Sequence, residues 1–599
     1  MKNRNEIEAR YKWDLSVLYP DSAAFDADMQ RVKELVKSFA GHEKTMLKSG
    51  AALYEAIKDD IAIGRIIDKL WSYASLSFSL DTSCNEYQAL TARVRTLATE
   101  AGSASWFLAP YLLRLDEETL TRFYAEEPRL ESYRRIITKV VRRRAHTLSD
   151  ESEELLSRLD DCFGTHDTVR SILANSDLRH GKVRTEEGDY RELTDATYIT
   201  YMQSSDRRVR QSAFHTMYKT YGQFKNTFAT LYDAMVRERC THAKMRGYKS
   251  SLEASTYRDE VTPAIYNTLI RSVHTALPIL YDYYALKREV LGLKRLHLYD
   301  VYAPLVGSLQ RTYSYEEAVR EVLDTVKILG KEYEETLRRG LTEEGWADVY
   351  PTKGKRGGAF SSGTPDTKPY ILLNYTETFD DVSTLAHEAG HSMHTYFSVK
   401  ANEPHNSSYT IFVAEVASTV NELLLAHKKL RESQNDEERL YILNHLMETY
   451  KGTLFRQTMF AEFEKKMHAK VEKGEPLTAD VIAKDYRRLV CRYFGKDVVC
   501  DRDIDLEWAR IPHFYRSFYV YKYATCISAA SAIVKRIEEE GEAYTEKYLR
   551  FLSAGDSLSP LESLRLAEID MTDPAVITGA IDDFKSAIDS FRAIYQKNN

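Results

Sequence analysis

The strongest constraint on the fold is a scarcity of chain breakers. The chain has 25 glycines and 14 prolines in 599 residues, against a combined share of about 12% in average proteins. Between Phe25 and His180 apolar residues recur at helical spacing among charged ones with few interruptions. That period without stop signals predicts amphipathic helices. The same texture resumes to Leu291, over Tyr315 to Gly340, and from Phe379 to Tyr595. Collagen-like and loop-dominated classes are excluded, and the expected fold class is mainly α.

The interruptions locate the rest. Val183 to Leu193 (VRTEEGDYREL) places a glycine between two short alternating arms, which predicts a hairpin and a boundary near residue 195. The chain then divides into an N-terminal helical region, 1–195, and a second region, 196–599. Leu296 to Leu305 (LHLYDVYAPL) reads as extended. Trp346 to Thr376 is rich in glycine and proline and reads as a loop closing in a strand, Tyr370 to Tyr375. A small β element therefore precedes the helix that begins at Phe379.

Charge and cysteine usage exclude several function classes. The net charge is -7, and no long basic stretch forms a nucleic-acid footprint. The Arg-rich run Lys139 to Arg144 reads as a solvated helix face. No run approaches the roughly 18 apolar residues of a membrane span, and the N-terminus has no apolar stretch of the signal-peptide kind. Six cysteines without a CxxC pair read as reduced thiols, hence a cytoplasmic protein.

The chemistry concentrates at His387 to His391, HEAGH. On a helix, residues four apart share a face about 6 Å apart along the axis, so His387 and His391 can offer nitrogens to one metal while Glu388 points about 100° away. Thr378 followed by Asp381 fits a capping box opening that helix. Val382, Leu385, Ala386, Ala389 and Met393 form its apolar stripe, and the histidines lie roughly opposite. His394 shares their face about 4.5 Å further along the axis, which suits a supporting or substrate-facing role better than a third ligand. A catalytic zinc needs three protein ligands and an open position. In Ile411 to Leu425, Glu415, Ser418, Thr419 and Glu422 share one face of an otherwise apolar helix. Glu415 is placed to be the third ligand if the two helices pack antiparallel, and Glu422 to hold a ligand histidine. The Tyr-rich HFYRSFYVYKY, His513 to Tyr523, carries i, i+4 aromatic stripes such as Tyr515, Tyr519 and Tyr523. Such stripes usually pack in a core, but His N–H and Tyr O–H are also oxyanion donors.

Taken together, HEAGH with EVASTVNE after it, WADVYPTKGKRGGAFS before it, LHLYDVYAPL, the N-terminal WDLSVLY and HFYRSFYVYKYAT resemble the oligoendopeptidase F branch of the thimet oligopeptidase family of zinc metallopeptidases. The patches span nearly the whole chain in family order. The resemblance implies a multi-helix fold enclosing a deep channel that admits short unstructured peptides. It implies one zinc ion held by His387, His391 and Glu415, with Glu388 as general base, and His513, Tyr519 and Tyr521 contacting substrate or oxyanion. Cys526 stands where the family has a glycine after YAT, which bears on the register of the tyrosines and leaves the zinc ligands untouched.

These readings converge on a zinc-dependent endopeptidase acting on short peptides, with no nucleic-acid or membrane partner and no oligomeric state assigned. Two alternatives share the motif: a helical scaffold with a four-ligand structural metal, and a zinc exopeptidase or amidase. The Gly357–Gly358 loop and the Tyr370–Tyr375 strand could pair with a peptide backbone by strand addition, an idea that requires an open strand edge.

Overall fold

The computed structural model describes residues 2–307 and 311–598. It is 73% helical with 3% strand, so the mainly α expectation holds. No helix among the described residues is long and apolar enough to cross a membrane. The chain forms two compact units, each assembled from three stretches. The first comprises Met1–Thr147, Arg311–Leu425 and Ile533–Glu568, and the second Leu148–Gln310, Ala426–Ala532 and Ile569–Asn599.

This division differs from one at residue 195. The predicted hairpin exists, pairing Lys182–Arg184 with Tyr190–Glu192, and it lies inside the second unit. Local texture marks a change of element, whereas a unit is defined by which distant stretches bury their apolar faces together.

In the first unit the N-terminal helices, among them Ser22–Phe39, Gly50–Leu80 and Asn85–Ala104, bury Phe25, Leu53, Leu70, Val94 and Phe123 in one core. Tyr370 and Leu372 of the glycine-rich region complete it. That region folds as a three-stranded sheet with Tyr370–Leu372 in the middle, parallel to Ala347–Asp348 and antiparallel to Phe360–Ser362. The middle strand is thus paired on both edges, which removes strand addition at Tyr370–Tyr375. The outer strand Phe360–Ser362 packs beside the HEAGH helix, where Ser361 Oγ lies 2.8 Å from Ser392 Oγ.

The WDLSVLY patch ties the N-terminus to this sheet. Trp13 donates its indole N–H to the Trp346 carbonyl (2.7 Å) and its backbone N–H to Asp348 (3.1 Å). Asp348, 1% exposed, also pairs with Arg4 and with the fully buried ammonium of Lys355, each at 2.7 Å. A buried charge needs such partners to offset its lost hydration.

The second unit is built from long helices, including Lys225–Met245, Pro263–Val290, Gln457–Glu472, Ala479–Phe494 and Pro574–Asn598. The segment read as extended is so only at Leu296–His297, which pairs in parallel with Val498–Val499. A 3-10 turn, Leu298–Asp300, follows and places the fully buried Asp300 against Arg207 and Arg210.

Asp348→Ala strands two cations and a backbone N–H, so we expect a stability loss of about 3–5 kcal/mol, read as a lowered denaturation midpoint. Asp348→Ala combined with Lys355→Met should lose less than Asp348→Ala alone.

Candidate active site

The HEAGH helix, Phe379–Ala401, starts as the sequence predicts: Thr378 is its N-cap, and a capping box with Asp381 is complete. Asp380 and Asp381 in the first turn favour the positive helix end. Facing it is Ile411–Glu432. The contacts pair Ala386 with Asn421, His387 with Glu422, Gly390 with Ala417, and His391 with Glu415. Position numbers rise on one helix as they fall on the other, so the two run antiparallel.

Gly390 makes this approach possible. A Cβ there would lie 2.5 Å from the Ala417 carbonyl oxygen and 2.6 Å from Ser418 Cα, so no side chain fits between the backbones. Glycine inside a helix costs about 1 kcal/mol relative to alanine. The close contact it permits brings Glu415 within reach of both histidines. Asn421, fully buried, spans the seam: it donates to the Ala386 carbonyl at 3.1 Å and accepts from Tyr333 Oη at 3.1 Å.

Three donor atoms converge at the mouth of this seam. His387 Nε2 and His391 Nε2 are 3.1 Å apart, and each lies 3.4 Å from Glu415 Oε2. His387 Nδ1 sits 2.8 Å from Glu422 Oε1. A carboxylate only accepts, so Nδ1 carries a proton, and Nε2 is the nitrogen that turns into the cluster and offers a lone pair to a metal when the ring is neutral. Burial disfavours a charged His387, but Glu422 and Glu415 outweigh it and hold its pKa well above the usual value. Burial likewise opposes an ionised Glu415, yet the two histidines hold its pKa well below the usual range.

Two imidazole nitrogens and a carboxylate oxygen gathered so tightly form a cradle for a cation. Metal–donor distances of about 2.0–2.1 Å in a tetrahedral site put neighbouring donors about 3.3–3.4 Å apart, and the observed separations match this. His387, His391 and Glu415 could therefore hold zinc as they stand. Glu388 follows the first histidine, 6% exposed, with Oε2 buried and, among the described residues, unpartnered. Burial is the main cause raising its pKa, with His387 and His391 pulling the other way.

His394 packs among aromatic rings. It is 1% exposed, stacked on Tyr409 with ring centroids 3.7 Å apart and flanked by Phe551 at 5.4 Å. Burial pushes its pKa down to about 3, so it stays neutral. Tyr409 in turn reaches Thr395 Oγ1 at 2.9 Å and donates to the His391 carbonyl at 3.4 Å. The helical wheel had no sign of Tyr409 as a second wall.

The Tyr-rich segment of the second unit departs from a continuous helix. Pro512–Tyr515 is a 3-10 turn, and the long helix begins only at Tyr521. The break gathers His513, Tyr519 and Tyr523, with ring centroids 5.4–6.2 Å apart. Tyr521 is not among them: it is fully buried, its hydroxyl donating to Asp259 at 3.4 Å. Tyr523 takes its place in the cluster, and its membership of the Tyr515–Tyr519–Tyr523 stripe was the available signal.

Residues 200–582 match the sequence profile of peptidase family M3, and residues 112–180 that of oligopeptidase F. The chain belongs to peptidase family M3. It is 38% identical to oligopeptidase PepF of Bacillus subtilis over 597 residues, covering 100% of this chain and 89% of that protein. Identity to group B oligopeptidase PepB of Streptococcus agalactiae is 36%, over 98% of this chain and 97% of that one. The crystal structure of oligoendopeptidase-F from Enterococcus faecium superposes with a TM-score of 0.77 at 33% identity, covering 96% of this chain and 99% of that chain. This M3 member is therefore a peptidase.

Gly390→Ala tests the seam. Forcing a methyl between the backbones should cost about 1–3 kcal/mol despite alanine's better helix propensity, and should push Glu415 away from the histidines. The expected outcome is a lowered Tm together with weaker zinc retention under dialysis. A gain in stability with full zinc retention would contradict this account of the seam.

Proposed function

We propose that this peptidase is a zinc-dependent endopeptidase hydrolysing internal bonds of short, unstructured peptides. The observation that carries the reading is the convergence of His387, His391 and Glu415 on one point beside the buried carboxyl of Glu388. His387, His391 and Glu415 would hold one zinc ion per chain. Bound zinc supplies Lewis acidity, lowering the pKa of a water and polarising the scissile carbonyl. Three protein ligands rather than four favour this over a structural metal.

In this reading Glu388 accepts the proton of the attacking water and returns it to the departing amine. Glu422 fixes the His387 tautomer and ring angle, so that Nε2 stays presented. His513 and Tyr519 keep the role the family resemblance implies, donating hydrogen bonds to peptide or oxyanion, and we assign Tyr523 to the same task in place of Tyr521. A peptide backbone would add to the outer strand Phe360–Ser362 rather than to Tyr370–Tyr375, making contacts that ignore side-chain identity. The six cysteines stand outside disulfides, which suits the cytoplasm.

Cleavage of a doubly blocked peptide separates this reading from an exopeptidase, which has no terminus to grip. We expect Glu388→Gln to keep its zinc while kcat on that peptide falls by about 100-fold or more. A wild type that binds no zinc and leaves the peptide intact would overturn the proposal. Glu422→Ala should weaken zinc affinity by about 10- to 100-fold, measured by competition with a chromogenic chelator.

A further inference from the structure

Two buried titratable groups of the second unit take no part in this chemistry. Glu464 and His468 lie one turn apart on Gln457–Glu472 and are 0% and 1% exposed. Among the described residues no cation pairs with Glu464. Its Oε1 accepts the Phe518 backbone N–H at 3.0 Å, and its Oε2 is buried without a partner. His468 accepts or donates at Ser251 Oγ (2.9 Å) through Nδ1, and its ring centroid is 4.4 Å from that of Phe518. Both side chains of this helix turn thus close on one residue.

Phe518 is unusual in its backbone. Its φ of 57° lies in the left-handed region, where a bulky side chain is disfavoured. It stands immediately before Tyr519, in the break between the 3-10 turn and the helix that starts at Tyr521. On an unbroken helix His513 and Tyr519, six residues apart, would sit about 120° from one another. The left-handed residue is what lets them gather with Tyr523. A buried N–H at such a turn needs an acceptor, and an apolar side chain at 464 would pack without supplying one. Burial raises the pKa of Glu464 well above the usual value, which favours the neutral acid, and the single acceptor oxygen at the Phe518 N–H is one that glutamine can copy.

We propose that Glu464, backed by the His468 ring, is the positioning residue of the His513–Tyr519–Tyr523 cluster, holding Phe518 in its left-handed turn and so setting where the cluster's hydrogen-bond donors stand. This rests on the reading of that cluster as one that meets the peptide.

The test uses the full-length, zinc-loaded protein with 3-fluorotyrosine at position 519, followed by 19F NMR and by kcat and KM on the doubly blocked peptide. Glu464→Gln should keep the wild-type resonance and rate. Glu464→Leu should shift or broaden the resonance and lower kcat by about 10- to 100-fold with zinc content unchanged. In a Phe518→Gly background, where the turn forms without being held, Glu464→Leu should cost less. A wild-type resonance in Glu464→Leu, or the same loss in Glu464→Gln as in Glu464→Leu, overturns the proposal. Should Glu464→Leu not fold, Glu464→Gln decides, since a shifted resonance there overturns the inference and an unshifted one supports it. A wild type that never cuts the peptide counts against the function reading, while the 19F comparison still judges Glu464.

Discussion

The close approach of two helix backbones at Gly390 is the constraint on which the rest of the site depends. A histidine pair four residues apart on a helix can present two nitrogens to a metal, but a third ligand must come from another element. Glutamate is short, and its carboxylate reaches the pair only if the second helix lies nearly in backbone contact. Gly390 removes the Cβ that would hold the helices apart, and Asn421 exchanges hydrogen bonds across the seam. The cost of glycine in a helix and the desolvation of an asparagine are both met at the place where the metal cradle requires them.

Electrostatics explains why the surrounding acids are where they are. Two lone pairs and a carboxylate oxygen crowded within hydrogen-bond distance are unfavourable unless a cation joins them. Glu422 sharpens the arrangement by accepting a hydrogen bond from His387 Nδ1–H, which turns Nε2 of the same ring toward the cluster. His394, three residues after His391, is kept neutral by burial against Tyr409 and Phe551, so it adds no charge next to the cradle. Of three histidines on one helix, two thus converge on Glu415 and the third packs among aromatic rings.

Much of this was legible in the chain. HEAGH, the capping box at Thr378, and acids interrupting an apolar helix at Glu415 and Glu422 each carry a local signature, because helical periodicity alone decides which side chains share a face. What local pattern left out has a common cause. His394 lies off the apolar stripe of its helix, yet a second wall from Tyr409 and Phe551 buries it. Strand addition at Tyr370–Tyr375 required an open edge, which Ala347–Asp348, more than twenty residues earlier, and Phe360–Ser362 close. Tyr521, which the family resemblance put beside His513 and Tyr519, is buried instead against Asp259. In each case a residue distant in sequence overrides a local period.

The sequence by itself determined the helical class and which side chains share a helix face, since these follow from residue type and spacing along one or two helices. Only the tertiary structure decided which tyrosine joins His513, which strand is left with an open edge, and how the chain divides into compact units. Those outcomes depend on contacts between stretches tens to hundreds of residues apart, where burial and backbone hydrogen bonding outweigh local preference.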